Sequence, residues 1–199
     1  MKKEHYYTER VMSETEAHNY WKRLEGAKKV LDLGCGKGLF GKYKPAGAEI
    51  YGIDIDSGAI KETKKIYKGT KVSDLNGKIP FASGMFDAIF AKDVFEHVLE
   101  PWKLASECNR VLKKGGRVIA TVPSPTAKAW DDYTHVRPFT KRSIEELFLD
   151  NGFEIICTKR TRGIIGFGYL GLSPYVHYFL EIPVFRWLTQ GFEVKAIKK

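Results

Sequence analysis

The sequence predicts a three-layer α/β fold, a doubly wound and mostly parallel sheet with helices on both faces. Three observations predict it. Short apolar runs at 29–33, 49–54, 86–91, 117–122 and 153–158 alternate with segments of helical spacing. The first run ends in a glycine-rich turn, Gly34-Cys35-Gly36-Lys37-Gly38. An apolar fraction of 43% over 199 residues is enough to bury a core of its own. One domain over 1–199 is expected, with a helical cap at 1–27 and an apolar insertion at 161–191 between the last two strands.

Taken in order, 1–27 is polar, and Tyr20, Trp21 and Leu24 give it an apolar stripe. Lys29 to Leu33 is the first strand, and Glu49 to Asp54 the second, ending at a carboxylate. Between them Leu39 to Tyr43 leaves room for an abbreviated helix. Ser57 to Tyr67 reads as a helix, and Lys71-Val72 as a brief third strand. Phe86 to Ala91 is a fourth, interrupted by Asp87. Pro101 to Leu112 has helical spacing, and Lys113-Lys114-Gly115-Gly116 is expected to end that helix with cations and a glycine cap. Arg117 to Val122 is a fifth strand, stopped by Pro123 and Pro125. Thr140 or Ser143 caps a helix to Asp150 that Gly152 closes. Phe153 to Thr158 and Phe192 to Ile197 are the last two strands.

Lysine and arginine number 33 against 24 acidic residues, a formal charge of +9. The lysines from Lys28 to Lys71 are interleaved with acids, the pattern of a solubilising surface. No module combining stacking aromatics with basic residues is present, so nucleic acid is not an expected partner. Cys35, Cys108 and Cys157 are far apart and lack metal-ligand spacing, which argues against a disulfide framework or a zinc cluster. The first residues, Met1-Lys2-Lys3-Glu4-His5-Tyr6, have no apolar run of the secretory kind, and a cytoplasmic location is expected.

Ligands of open parallel sheets bind beyond the carboxyl ends of the strands. The glycines after the first strand permit positive φ and a close backbone approach to a ligand. Gly36 to Gly41 satisfies the GxGxxG pattern of dinucleotide enzymes. Asp32, two positions before Gly34, would repel a pyrophosphate and attract an amino or sulfonium cation. No Gly-Lys-Ser/Thr occurs, which excludes a Walker-type phosphate loop.

Val30 to Gly38 resembles motif I of the class I S-adenosylmethionine (SAM)-dependent methyltransferases. Tyr51 to Ser57 is similar to the end of their second strand, and Lys78-Ile79-Pro80-Phe81 followed by Ser83 to Asp87 to their "LPF…FD" passage. Val94-Phe95-Glu96-His97-Val98, Pro101 and Arg110 to Gly116 resemble later landmarks. Order and spacing over roughly 28–160 are similar to the methyltransferase type 11 subgroup. The resemblance implies a Rossmann-like sheet of seven strands with an antiparallel last strand. It implies SAM as cofactor and S-adenosylhomocysteine (SAH) as product, held at Asp32, Gly34, Cys35, Gly36 and Gly38. Asp54 would accept from the ribose hydroxyls, and Ile55 and Leu75 would flank the adenine. Asp74 would lie near the adenine amino group, Ser73 beside it would also contact the cofactor, and Ala91 and Lys92 would lie near the methionine end.

Methyl transfer from SAM is an in-line displacement, and a base is needed only if the acceptor must lose a proton. His97 and His135 are the candidate catalytic residues. The first expectation is that no metal takes part. The alternative is a divalent ion on Asp93, Glu96, His97 and His135, because two carboxylates and two imidazoles suit one. That pattern is also similar to metal-dependent O-methyltransferases, including those acting on small-RNA ends and on ubiquinone precursors. Trp130 precedes a polar loop and is a candidate to face substrate. In the aromatic-rich segment 163–192, Pro174, Pro183, His177, Glu181 and Arg186 argue against a membrane span. Three uses are open to it: covering an apolar substrate pocket, a homodimer interface, or peripheral membrane contact. The expected function is methyl transfer from SAM to a small, hydrophobic acceptor. The alternatives are a non-catalytic SAM-binding scaffold and an NAD-dependent oxidoreductase.

Overall fold

The computed structural model describes residues 12–161, 182 and 190–199. The strands are β1 (Lys29–Leu33), β2 (Glu49–Asp54), β3 (Gly69–Val72), β4 (Phe86–Lys92), β5 (Leu112–Pro123), β6 (Phe153–Thr161) and β7 (Gly191–Lys198). The helices are α1 (Glu14–Arg23), α2 (Leu39–Lys42), α3 (Ser57–Thr63), α4 (Pro101–Val111), α5 (Ala127–Trp130) and α6 (Lys141–Asp150), with a 3₁₀ turn at Phe95–His97. The sheet has seven strands in the order β3-β2-β1-β4-β5-β7-β6. β7 runs antiparallel between β5 and β6, and the remaining pairs are parallel. The α/β class, the seven strands and the antiparallel last strand are therefore as expected.

Alternation along the central strands supplies both faces of the sheet. Leu31, Leu33, Ile53, Ile89 and Ala91 join the core under α4 and α6. Val30, Ile50, Ala88 and Phe90 join the core under α1, α2 and α3. Helix α1 begins where the Ser13 hydroxyl accepts from the Glu16 amide at 3.1 Å. It buries the predicted stripe, with Trp21 stacked on Phe40 at 4.5 Å and its indole N–H donated to the Phe40 carbonyl at 2.9 Å. Thr140 and Ser143 form a reciprocal capping box at the start of α6, so both predicted caps act together.

β3 begins earlier than expected, at Gly69, and β6 runs on to Thr161, and two further boundaries differ in ways that bear on the packing. Helix α3 stops at Thr63 and not at Tyr67, and a turn follows in which the Thr63 carbonyl accepts from the amides of both Ile66 and Tyr67 at 2.9 Å. The turn carries Tyr67 into the protein, where it is 5% exposed. The lysine-glycine run after α4 does not cap that helix. β5 already starts at Leu112, which is buried and paired with Phe86, and the ladder resumes with Ala88 opposite Arg117. Burying Leu112 in extended form outweighs another helical turn, and 113–116 bulge out of the sheet, with Gly115 at φ 73°. The short helix α5 has no sequence-level counterpart.

The apolar segment 162–189, apart from Ile182, lies outside the described residues, as does 1–11 of the predicted N-terminal cap. Among the described residues no helix is long and apolar enough to cross a membrane.

Candidate functional site

The carboxyl ends of β1, β2 and β4 converge on the loop Gly34 to Gly38. Its three glycines have φ of 67°, 48° and 80°, a region that side chains avoid. A Cβ on Gly34 would stand 2.9 Å from Val94 Cγ2, so the loop packs against the chain leaving β4. The loop is tied to β2 twice. The Cys35 amide donates to the Ile53 carbonyl at 3.0 Å, and the Gly36 amide to Asp54 Oδ2 at 2.8 Å. Asp54 Oδ1 accepts from the Asp56 amide at 2.9 Å. Asp54 is only 5% exposed, and these two amides orient its carboxylate.

Asp32 is set deeper, at 3% exposure. Its Oδ2 accepts the Tyr67 hydroxyl at 2.5 Å, and the Tyr67 oxygen in turn accepts from the Gly41 amide at 3.2 Å. Burial pushes the Asp32 carboxyl up to about 7, the Tyr67 bond opposes that, and the nearby Asp54 charge adds to it. Burial, and then the Asp32 charge, hold Tyr67 well above the ordinary phenol range. Nothing at short spacing links Tyr67 to Asp32, and sequence reasoning missed the pair.

The other predicted cofactor residues line the same edge. Ile55 follows Asp54 and is 48% exposed, a large apolar side chain left open to a ligand. The Ser73 amide donates to the Asp54 carbonyl at 3.0 Å. Asp74 is exposed, and its Oδ1 takes the amide and the side-chain N–H of Asn76, both at 2.9 Å. Leu75 packs against the core. Ala91 is fully buried at the end of β4, and Lys92 forms an ion pair with Glu16 of α1 at 2.8 Å. Cys35 is buried, with its thiol pushed up by burial and then by the Asp32 charge, consistent with a packing role.

Beyond β4 the four candidate polar residues separate. Glu96, His97 and His135 each offer an atom within 4.8 Å of the other two. Asp93 is not in this group: it has φ 55°, donates its amide to the Thr121 carbonyl at 3.0 Å, and takes the Thr121 hydroxyl on Oδ1 at 3.1 Å. The imidazoles of His97 and His135 meet edge to face at 4.7 Å. His135 Nδ1 lies 2.5 Å from the Ala129 carbonyl, an acceptor only, so Nδ1 bears a proton, and in the neutral ring Nε2 carries the lone pair. The Thr134 hydroxyl donates to Asp132 Oδ1 at 2.6 Å, so its oxygen accepts from His97 Nδ1 at 3.1 Å. His97 therefore also holds its proton on Nδ1. Burial, and next the repulsion that a protonated His135 would exert, lower the His97 pKa, which keeps the ring neutral at pH 7. Trp130 is more than half exposed at the end of α5.

The family described as "Methyltransferase domain" matches residues 31–120. A ubiquinone biosynthesis O-methyltransferase of Chromobacterium violaceum is 32% identical over 113 residues, 52% of this chain and 47% of that protein. A malonyl-[acyl-carrier protein] O-methyltransferase of Legionella pneumophila is 32% identical over 127 residues, 56% and 45% of the two chains. The chain thus spans about half the length of the curated relatives it matches. Among solved structures, geranyl diphosphate C-methyltransferase of Streptomyces coelicolor A3(2) superposes with a TM-score of 0.71 at 16% identity, over 93% of this chain and 80% of that one. At that identity the likeness is one of fold.

Proposed function

We propose, from the match of residues 31–120 to the methyltransferase domain family, that this protein transfers a methyl group from SAM to a small, hydrophobic acceptor. The observation that carries the reading is Asp54. It is a buried carboxylate at the end of β2, aimed by an amide of the glycine loop at 2.8 Å. Such a group suits a ribose diol, and charge-assisted bonds to it contribute about 1.5–3 kcal/mol each. The rest of the pocket suits the same ligand. The positive-φ loop lets backbone approach it, Ile55 offers an apolar face to a base, and Asp32 lies where a cation would favour its ionised form.

SAM supplies the electrophilic methyl, and a neutral thioether leaves. This chain's residues bind and orient. Asp54, Ile55, Ser73, Asp74 and Leu75 hold the nucleoside. Asp32, Gly34, Cys35, Gly36 and Gly38 form the loop beside it, and Ala91 and Lys92 the methionine end.

On the acceptor side, Glu96, His97 and His135 support a divalent metal over a histidine base. The His135 side chain is 1% exposed, and its Nε2 has no hydrogen-bond partner among the described residues. A buried lone pair beside a buried carboxylate and a second neutral imidazole is the donor set of a divalent ion. A metal there would lower the pKa of an acceptor hydroxyl.

Calorimetry tests the cofactor reading. SAH is expected to bind in the micromolar range, NAD not at all, and Asp54→Ala to weaken SAH roughly 100-fold, by loss of one to two charge-assisted bonds. NAD binding without SAH binding would return the chain to the oxidoreductase alternative. SAH binding without label transfer from methyl-labelled SAM to any of a panel of small aromatic and aliphatic acceptors would favour a scaffold.

A further inference from the structure

We infer that Asp132, and not Asp93, is the fourth ligand of the acceptor-side metal site; this rests on the metal reading above. Asp132 Oδ2 stands 3.7 Å from His135 Nε2. That is too long for a hydrogen bond. It is close to the separation of two donors on one ion, because bonds of about 2.1 Å at a tetrahedral angle put ligand atoms roughly 3.4 Å apart. The proton count points the same way. In the neutral ring, with the His135 proton on Nδ1 facing the Ala129 carbonyl, two electron-rich atoms confront each other at Nε2 and Oδ2. A cation between them turns that repulsion into attraction.

The surroundings of Asp132 are those of a supported ligand. Its Oδ1 takes the Thr134 amide at 3.1 Å and the Thr134 hydroxyl at 2.6 Å, which directs Oδ2 toward His135. The same hydroxyl oxygen fixes the tautomer of His97, so one threonine orients two ligands. Asp132 is 32% exposed on its side chain, which gives the ion a route from solvent into an otherwise buried cluster. Asp93 faces Thr121. The site then joins two segments, the 3₁₀ turn with Glu96 and His97 and the loop with Asp132 and His135, and metal binding ties that loop to the edge of the sheet.

The test is titration of the untagged, metal-stripped full chain with Co²⁺, followed by visible absorption, with competition by Zn²⁺. The wild type is expected to take up one equivalent and to melt at a higher temperature when loaded. Asp132→Asn keeps the acceptor for Thr134 and removes the charge; it is expected to weaken Co²⁺ at least about tenfold and to lose the melting shift. Asp93→Asn is expected to bind within about twofold of wild type. Asp132→Glu retains a charged oxygen, and its uptake with loss in Asp132→Asn supports a ligand over loop folding. Loss in both variants together with an altered circular dichroism spectrum overturns the ligand role. Unchanged uptake in Asp132→Asn, or an equal loss in Asp93→Asn, overturns the assignment while the metal reading stands. No uptake by the wild type overturns both.

Discussion

Asp32 is an acid placed where water does not reach it, and its chemistry follows from that. Burial holds its pKa at about 7, against about 3.9 for an aspartate in an unfolded chain. Between these values the folded chain binds the extra proton, so stability falls as pH rises from about 4 to about 7 and is flat on either side for this group. Asp32→Asn, which still accepts from Tyr67, is expected to remove a slope of up to about 1.4 kcal/mol per pH unit. Urea midpoints of the two proteins from pH 4 to 8 measure it, and parallel curves would dismiss the raised acid. Gly34 makes a second residue-scale case. It and Gly47 both have positive φ, but a Cβ on Gly34 meets Val94 at 2.9 Å while one on Gly47 meets nothing within 4 Å. Alanine at either costs about 1–2 kcal/mol of backbone strain. Gly34→Ala is expected to cost more by the packing term, read as the lower urea midpoint of the two; equal midpoints would remove the close approach. The sequence showed Asp32 and the glycines as a constellation because these are near neighbours in the chain, and Asp54 as the carboxylate that ends the next strand. It did not show Tyr67, because that contact spans residues brought together only when α3 ends early.

The passage from 76 to 85 has no regular structure, and α4 holds it. Arg110 donates to the Ile79 carbonyl at 2.8 Å and the Phe81 carbonyl at 3.0 Å, and pairs with Glu107 at 2.7 Å. Glu107 in turn accepts the Ile79 amide at 2.8 Å, and the Arg110 bond with that amide keeps its carboxyl below the usual range. Ile79 is buried behind this clasp. Arg142 and Glu146 on α6 also pair at 2.7 Å, but the arginine is 87% exposed. Arg110→Ala is expected to cost about 2–3 kcal/mol, for hydrogen bonds to a charged group and carbonyls left unpaired. Arg142→Ala should cost less than about 0.5 kcal/mol. Chemical denaturation of both variants checks the contrast, and similar small losses would mean α4 does not hold the passage. At this scale β1, β2, α6 and its cap were legible, since apolar runs and Thr-x-x-Ser spacing are local signals. The α4–β5 boundary was misread because Lys-Lys-Gly-Gly is a good helix stop in isolation, and only the pairing of Leu112 with Phe86 makes it a bulge. Likewise Glu96, His97 and His135 were visible as residue types, but nothing local separates them from Asp93. That separation comes from the backbone of Asp93, which turns its carboxylate toward Thr121.

Across the whole molecule, the sheet closes on the side of β7. The register of β6 and β7 runs from Phe153 opposite Lys198 to Thr161 opposite Gly191, and the Gln190 amide donates to the Thr161 carbonyl at 3.2 Å. β7 is also paired with β5 from Arg117 to Pro123, so its place is fixed on both edges. Arg23 of α1 reaches Glu193 of β7, a buried acid, and joins the N-terminal helix to this last strand. The two ends of the β6–β7 ladder thus meet at Thr161 and Gly191 as the arms of a hairpin do, and short glycine- and asparagine-containing loops close hairpins. Replacing 162–189 by a four-residue loop of that kind is therefore expected to leave a folded chain. Its cooperative melting transition should persist, and its affinity for SAH should stay within about threefold, because the proposed cofactor residues lie between Asp32 and Lys92, at the ends of β1 to β4. Label transfer to hydrophobic acceptors is read in the same preparation. Loss of SAH affinity in a chain that still melts cooperatively would show that the cofactor pocket depends on the replaced segment. Loss of the melting transition would show that the β5–β7–β6 ladder does not stand without it.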